Sequence, residues 1–435
     1  MRQGCFPAGR NQPNTDACSA YNVHWEVTYK SDGRREATDG IDYVSAVLEN
    51  DRWLLCHSDF IGTSTNLLVE RPATGNARVW VVNQDNDSVT GFDAVTNAKL
   101  GEVAVGAAPR AIALAPNGML WVSNKQSATI SVINPATRAI TRTMALPRGS
   151  QPFGIAMSPT SARAYVALEA GGSVLAFDTT SYAQVASANV GPNARHLAVS
   201  ADGANVYVSR FVTPPLPGES TATVTPTAST GGEVVQLAAS TLATVRTIVL
   251  KHSDKIDTEN QGRGIPNYLG AAAISPDGSQ AFVPSKQDNV QRGALRDNTG
   301  LNFQNTVRAI SSRINLATNA EDLAGRIDHD NASMASAAAF DPRGVYLFVA
   351  LETSREIAVL NAFTRAQLFR VDVGRALFLQ RGDRLVFAVR AGSQDRTIAL
   401  GSDRLQPIDD SAGTRRDQAT DDDVLLQAAQ LVALA

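Results

Sequence analysis

Histidine, cysteine and long apolar runs are scarce in this chain. Among its 435 residues are 5 histidines and 3 cysteines. The cysteines, Cys5, Cys18 and Cys56, all precede residue 60. None forms a C-x-x-C or C-x-x-C-H, so neither a zinc ribbon nor a covalently attached haem is encoded. Cys5 and Cys18 can pair in an oxidising compartment; elsewhere all three stay thiols. The histidines, His24, His57, His196, His252 and His329, show no i, i+4 spacing and no zincin pattern. No G-x-S-x-G elbow or phosphate-cradling P-loop occurs. No apolar run approaches the ~20 residues of a membrane span. The start, "MRQGCFPAGRNQ", lacks the apolar stretch of a signal peptide. Lys and Arg total 39 against 42 Asp and Glu, so no basic surplus points to nucleic acid.

What is present is repetition. An aromatic residue flanked by small apolar ones recurs as "VWVVN", "LWVSN", "AYVAL", "VYVSR", "AFVPS", "LFVAL" and "VFAVR". These place Trp80, Trp121, Tyr165, Tyr207, Phe282, Phe348 and Phe387 in register. The steps are 41, 44, 42, 75, 66 and 39 residues. Four of them match the ~40–45 residues of a propeller blade. Most copies follow an apolar strand and a tight turn, as in "AIALAPNG", "HLAVSADG" and "AAAISPDG", whose Pro and Gly preset the turn dihedrals. Each precedes a third strand, as in "SVTGFD" or "SVLAFD"; most units then carry a fourth. Four alternating strands joined by hairpins make one antiparallel blade, which must bury its faces against neighbours. The expectation is all-β: a seven-bladed β-propeller of four-stranded blades over 61–408. Residues 1–60 form an irregular segment that can lend an outer strand. A charged linker and short helix occupy 409–435. Eight blades, using 20–58, is the minor alternative. The repeated aromatic reads as a core plug between blades, since a ligand contact needs no sevenfold copy.

Two insertions explain the long steps. Phe211 to Gly232 is rich in Pro, Thr and Ser, and joins the second and third strands of the fourth unit. Lys286 to Val307 interrupts the fifth, and Lys251 to Gly270 separates the two units. Long loops in a compact repeat fold are often functional.

Residues at the start of each innermost strand line one mouth of the central channel. Here they are Arg110, Phe153, Arg195, His196, Asn267, Tyr268, Met334 and Arg375. Three arginines from three blades favour an anionic ligand or a carboxylate-bearing partner; the bland alternative is that neighbouring carboxylates pair with them. Closely spaced oxygen ligands, Asp257 with Glu259 and Asp328 with Asp330, are the candidates for a Ca²⁺ site, without the glycine and spacing of a calcium loop.

"VWVVNQDNDSV", "LWVSNKQSATISVI" and "YVALEAGGSVLAFD" resemble the YVTN-type β-propeller family, over roughly Val69 to Leu400. "ENQGRGIPNYLGAAAISPDG", "VPSKQDN", "NFQNTVRAISSRI" and "LFVALETSREIAVLNA" are similar to the propeller half of bacterial proteins that continue into a dihaem cytochrome c peroxidase-like domain. That resemblance implies a periplasmic or cell-surface location and a cytochrome-type redox partner. The haem motifs themselves are absent, so peroxidase activity does not carry over. The leading expectation is a monomeric, non-catalytic binding or scaffold module, its ligand a protein or a small anion. A lactonase-like hydrolase or isomerase using His196 and the channel arginines is the alternative. A shortened relative that folds incompletely, its seventh unit being weak, is the third.

Overall fold

The computed structural model describes residues 62–218, 227–258, 261–288, 307–332 and 334–372, together with the strands Tyr21–Thr28, Arg35–Asp42, Ala46–Glu49, Arg52–Leu55, Val386–Ala391 and Gln394–Ala399. Alternating apolar residues and hairpin turns produce successive antiparallel sheets, each folded from consecutive strands. Blade 1 comprises Leu67–Glu70, Arg78–Asn83, Ser88–Asp93 and Lys99–Ala104. Blades 2, 3 and 4 follow with the same order and begin at the inner strands Pro109–Leu114, Pro152–Met157 and Ala194–Val199. Blade 6 begins at Ala335–Phe340 and ends at Gln367–Asp372. The turn before the outer strand has one chemical cause in blades 1, 2, 3 and 6. Asp93, Asn134, Asp178 and Asn361 accept N–H bonds from the residues two and three further on.

Blade 5 is larger. Lys251 to Gly270, read from sequence as a connecting segment, instead contains the hairpin Ser253–Thr258 and Gln261–Asn267, which joins the sheet through Ile265 opposite Asp288. The blade's strands Gln280–Asp288 and Val307–Asn315 are nine residues each and carry it past the usual blade length.

Five of the signature aromatics are plugs between blades. Trp80 and Trp121 are fully buried. Trp80 packs with Ile112, Leu120 and Val122 of blade 2, and Trp121 with Ile155, Met157 and Val166 of blade 3. Tyr165, Tyr207 and Phe282 repeat the arrangement on blades 4, 5 and 6. Truncating such a side chain costs about 3–5 kcal/mol. This is a β-propeller.

The seven signatures predict seven four-stranded blades, and the described residues build six. Of the seventh signature, around Phe387, the described residues comprise the two-stranded pair Val386–Ala391 and Gln394–Ala399. That unit departs from the pattern where a blade is specified: Ala388 replaces the usual valine, and "LQRGDRL" replaces the Pro- or Asp-Gly turn. The predicted helix within 409–435 lies outside the described residues.

The chain enters the ring along its axis. Thr63 bridges to Ala198 of blade 4 and Thr65 to Ile112 of blade 2. The Ser64 amide donates to the Leu197 carbonyl at 2.8 Å, and its Oγ accepts from the Leu197 amide at 2.8 Å. Blade 3 offers Gly154 at this point, where a Cβ would lie 2.9 Å from Ser64 Oγ. Residues 62–66 therefore form a strap across the inner strands of blades 2, 3 and 4 before entering blade 1.

Candidate binding site at the channel mouth

The blades share a register at this mouth. Four residues after each signature aromatic stand Gln84, Lys125, Glu169, Phe211, Lys286 and Glu352. At the matching inner-strand position stand Arg110, Phe153, Arg195, Gly270 and Ser336. Two residues before the inner-strand position, Ala108, Gln151, Asn193 and Tyr268 adopt left-handed backbone, with φ of 51°, 53°, 62° and 55°. Asparagine tolerates this; a tyrosine there costs about 1–2 kcal/mol, which its packing must offset.

Tyr268 has that packing. Its ring stacks on Phe211, with centroids 4.5 Å apart and 17° between planes. Arg195 lies over the Phe211 ring at 3.4 Å and Lys286 over the Tyr268 ring at 3.9 Å. Arg195 also sits 4.5 Å from Phe153, against which Lys125 and Arg110 lie at 5.5 and 6.0 Å. The result is a continuous stack of cations and rings across blades 2 to 5, each cation facing the negative face of a π system. Glu169 accepts from Lys125 at 2.6 Å and from Arg195 at 2.8 Å. Lys286 pairs with Asp288 at 3.1 Å. Arg110 bonds the neutral Gln84. Four cations thus meet two carboxylates, leaving two positive charges in excess along the arc. Burial lowers the Arg195 pKa and Glu169 opposes that shift.

His196 meets Phe153 edge to face at 5.2 Å. Burial, then the neighbouring Arg195 charge, push its pKa down to about 3, so it is neutral at pH 7. A cavity of ≈ 520 Å³ opens beside the stack. Its walls include Arg195, His196, Phe211, Tyr268, Lys286, Met334 and Glu352.

Of the mouth residues read from sequence, Arg195, His196, Tyr268 and Met334 line this cavity, and Arg110 and Phe153 extend the stack beside it. Asn267 acts from behind: it accepts from the amides of Thr213 and Tyr268 and donates to Asp288 at 2.8 Å, fixing the rim. Arg375 lies outside the described residues. Sequence reading missed Lys125, Glu169, Phe211, Lys286 and Glu352 as a set. The signal was available as the constant four-residue offset from the aromatic.

Of the calcium candidates, Glu259 and the Asp257 side chain lie outside the described residues. Asp328 accepts from Arg308 at 2.6 Å, and burial raises its pKa against that pairing. Asp330 accepts from Asn331 at 2.8 Å. Among the described residues no three His, Cys, Asp or Glu side chains gather to hold a metal. Nor, among them, is any helix long and apolar enough to cross a membrane.

No family model matches the chain, and no curated protein matches it. Among solved structures it is similar to hydrazine synthase of Kuenenia stuttgartiensis, at 21% identity over 66% of this chain and 73% of that one, with a TM-score of 0.50. At that identity the likeness concerns the fold alone.

Proposed function

We propose that this chain is a non-catalytic binding propeller whose channel mouth holds a small organic anion with a flat or apolar body. The observation that carries it is the stack of four cations, two carboxylates and three rings beside a cavity of ≈ 520 Å³. Excess positive charge in a cleft attracts anions, and a volume of this order suits a small molecule. Hydrolysis fits the geometry less well. A general base works best with a pKa near the working pH, whereas His196 takes a proton only near 3 and faces a phenyl ring. Glu169, the carboxylate beside Arg195 on the arc, is held by two cations.

The finer reading belongs to the same proposal: a YVTN-type propeller closed by a seventh blade, exported to the periplasm or cell surface, and serving beside a cytochrome-type redox partner. Its support is the seven sequence signatures and the quoted motifs.

The test is calorimetric titration with 2-naphthoate and, as uncharged control, 2-naphthalenemethanol. Naphthoate binds the wild type, weakens with added salt, and binds Arg195→Gln and Lys286→Gln about fivefold to tenfold less well. Equal binding of the two probes, or unchanged affinity in both variants, overturns the proposal.

A further inference from the structure

The mouth is lopsided. On blades 2, 3 and 4 the inner-strand position carries Arg110, Phe153 and Arg195, and these fill the axis side with the cation–ring stack. On blades 5 and 6 the same position carries Gly270 and Ser336. Gly270 is demanded by packing, since a Cβ there would lie 2.7 Å from the Ser336 carbonyl oxygen. The cavity lies along this less bulky sector, bounded by Arg195, Phe211, Tyr268 and Lys286 and by Met334 and Glu352 of blade 6.

Glu352 differs from its counterparts in the register. Lys125 and Glu169 pair with each other, Lys286 pairs with Asp288, Gln84 binds Arg110, and Phe211 is stacked. Among the described residues Glu352 has no side-chain partner; its bonds are those of its backbone. Opposite Arg195 and Lys286, whose partners Glu169 and Asp288 stand off the lining, the cavity thus carries one unmatched carboxylate from blade 6.

From this we infer that the ligand is a zwitterion of short-peptide size. Its carboxylate meets Arg195 and Lys286, its apolar side chains lie against Phe211, Tyr268 and Met334, and its ammonium meets Glu352. This rests on the anion-binding reading above and adds the cationic end and the length. A sphere of ≈ 520 Å³ is about 10 Å across. An extended peptide advances ~3.3–3.6 Å per residue, so about two or three residues span it. A single free amino acid leaves the two charged walls unbridged. His196, neutral beside Arg195 and with no side-chain hydrogen bond among the described residues, is placed to bond a peptide amide or the carboxylate.

The experiment is calorimetry of the full chain with three probes: the dipeptide Ala-Phe, N-acetyl-Ala-Phe, which keeps only the negative end, and Ala-Phe-amide, which keeps only the positive one. Ala-Phe binds about fivefold tighter than N-acetyl-Ala-Phe, the upper range for an exposed ion pair. Ala-Phe-amide binds weakest. In Glu352→Gln the gap between the first two closes, while N-acetyl-Ala-Phe binds as in the wild type. Glu352 is exposed, so this variant keeps the fold, and an unchanged melting temperature verifies it. If N-acetyl-Ala-Phe binds as tightly as Ala-Phe, the zwitterion inference falls and the anion reading stands. If the amide binds tightest, or no probe binds, both fall.

Discussion

Lowering the pH from 8 to 5 should destabilise this propeller partly through one side chain, His329 in the outer strand of blade 5. Its residue is 1% exposed. Nε2 lies 2.9 Å from Ser311 Oγ, itself fully buried, and Nδ1 has no hydrogen-bond partner. Burial, then the Arg370 charge, lower its pKa to about 3, whereas an unfolded histidine titrates near 6.5. Between those values the unfolded chain binds a proton that the folded chain refuses. Stability therefore falls as the pH drops through 6.5, and continues to fall toward 3. At pH 5 this one imidazole costs about 2 kcal/mol relative to pH 8. His196 acts in the same direction, and Asp328, its pKa raised by burial, acts in the opposite one. Both are present in wild type and variant, so a comparison isolates His329. His329→Gln retains an amide able to bond Ser311 and does not titrate. Urea unfolding at pH 8, 6.5 and 5 should show the variant less stable at pH 8 but losing about 2 kcal/mol less than wild type on acidification. Parallel pH profiles would refute the reasoning.

Two further outcomes test the packing. In blade 1, Gly91→Ala places a Cβ 2.8 Å from Cζ3 of the buried Trp80 and should cost about 1–3 kcal/mol in denaturant unfolding. Adding Trp80→Phe should recover part of that loss, and strict additivity would dismiss the clash as its cause. Ser64→Ala removes the acceptor of the Leu197 amide and should cost about 1–3 kcal/mol, with faster amide exchange at Leu197; unchanged exchange there would mean that the strap does not hold blade 4.

The blades were legible because their signals are local and repeated. Trp80, Trp121, Tyr165, Tyr207, Phe282 and Phe348 each sit in an alternating strand behind a turn whose residues set its dihedrals. The hairpin Ser253–Thr258 and Gln261–Asn267 was not legible, because "SDKIDT" and "QGRGIPN" are polar and broken by Gly and Pro. The strap was missed for a different reason. "GTSTN" has no periodicity, and Ser64 finds its partner 133 residues away. The mouth was half legible. Of the arginines read there, Arg195 meets the carboxylate of Glu169, the pairing weighed as the bland alternative, and Arg110 meets the neutral Gln84. Glu169 stands at the same register as Lys125, one blade on, so two residues 44 apart in sequence form a 2.6 Å pair.

That register separates folding from binding along each blade's second strand. The signature aromatic and the residue after it are buried in every blade but the first, where Val81 is partly exposed, and they hold neighbouring blades together. Three residues further on, each blade reaches the mouth. There the chain carries glutamine, lysine, glutamate, phenylalanine, lysine and glutamate in turn. Packing places no common demand on these six, so what they share is position and what they differ in is chemistry. A near-uniform core position followed at fixed offset by a varied one is what a scaffold produces when the ring is built by repetition and the mouth by exception. The first long insertion begins at this offset, at Phe211, and the second follows two residues beyond it, after the strand Gln280–Asp288 that carries Lys286. Their bases are the ring and the cation that close the stack. The irregularities of the repeat therefore converge on the rim of one cavity, which is why its chemistry, and not that of the repeated strands, distinguishes this propeller from others of its fold.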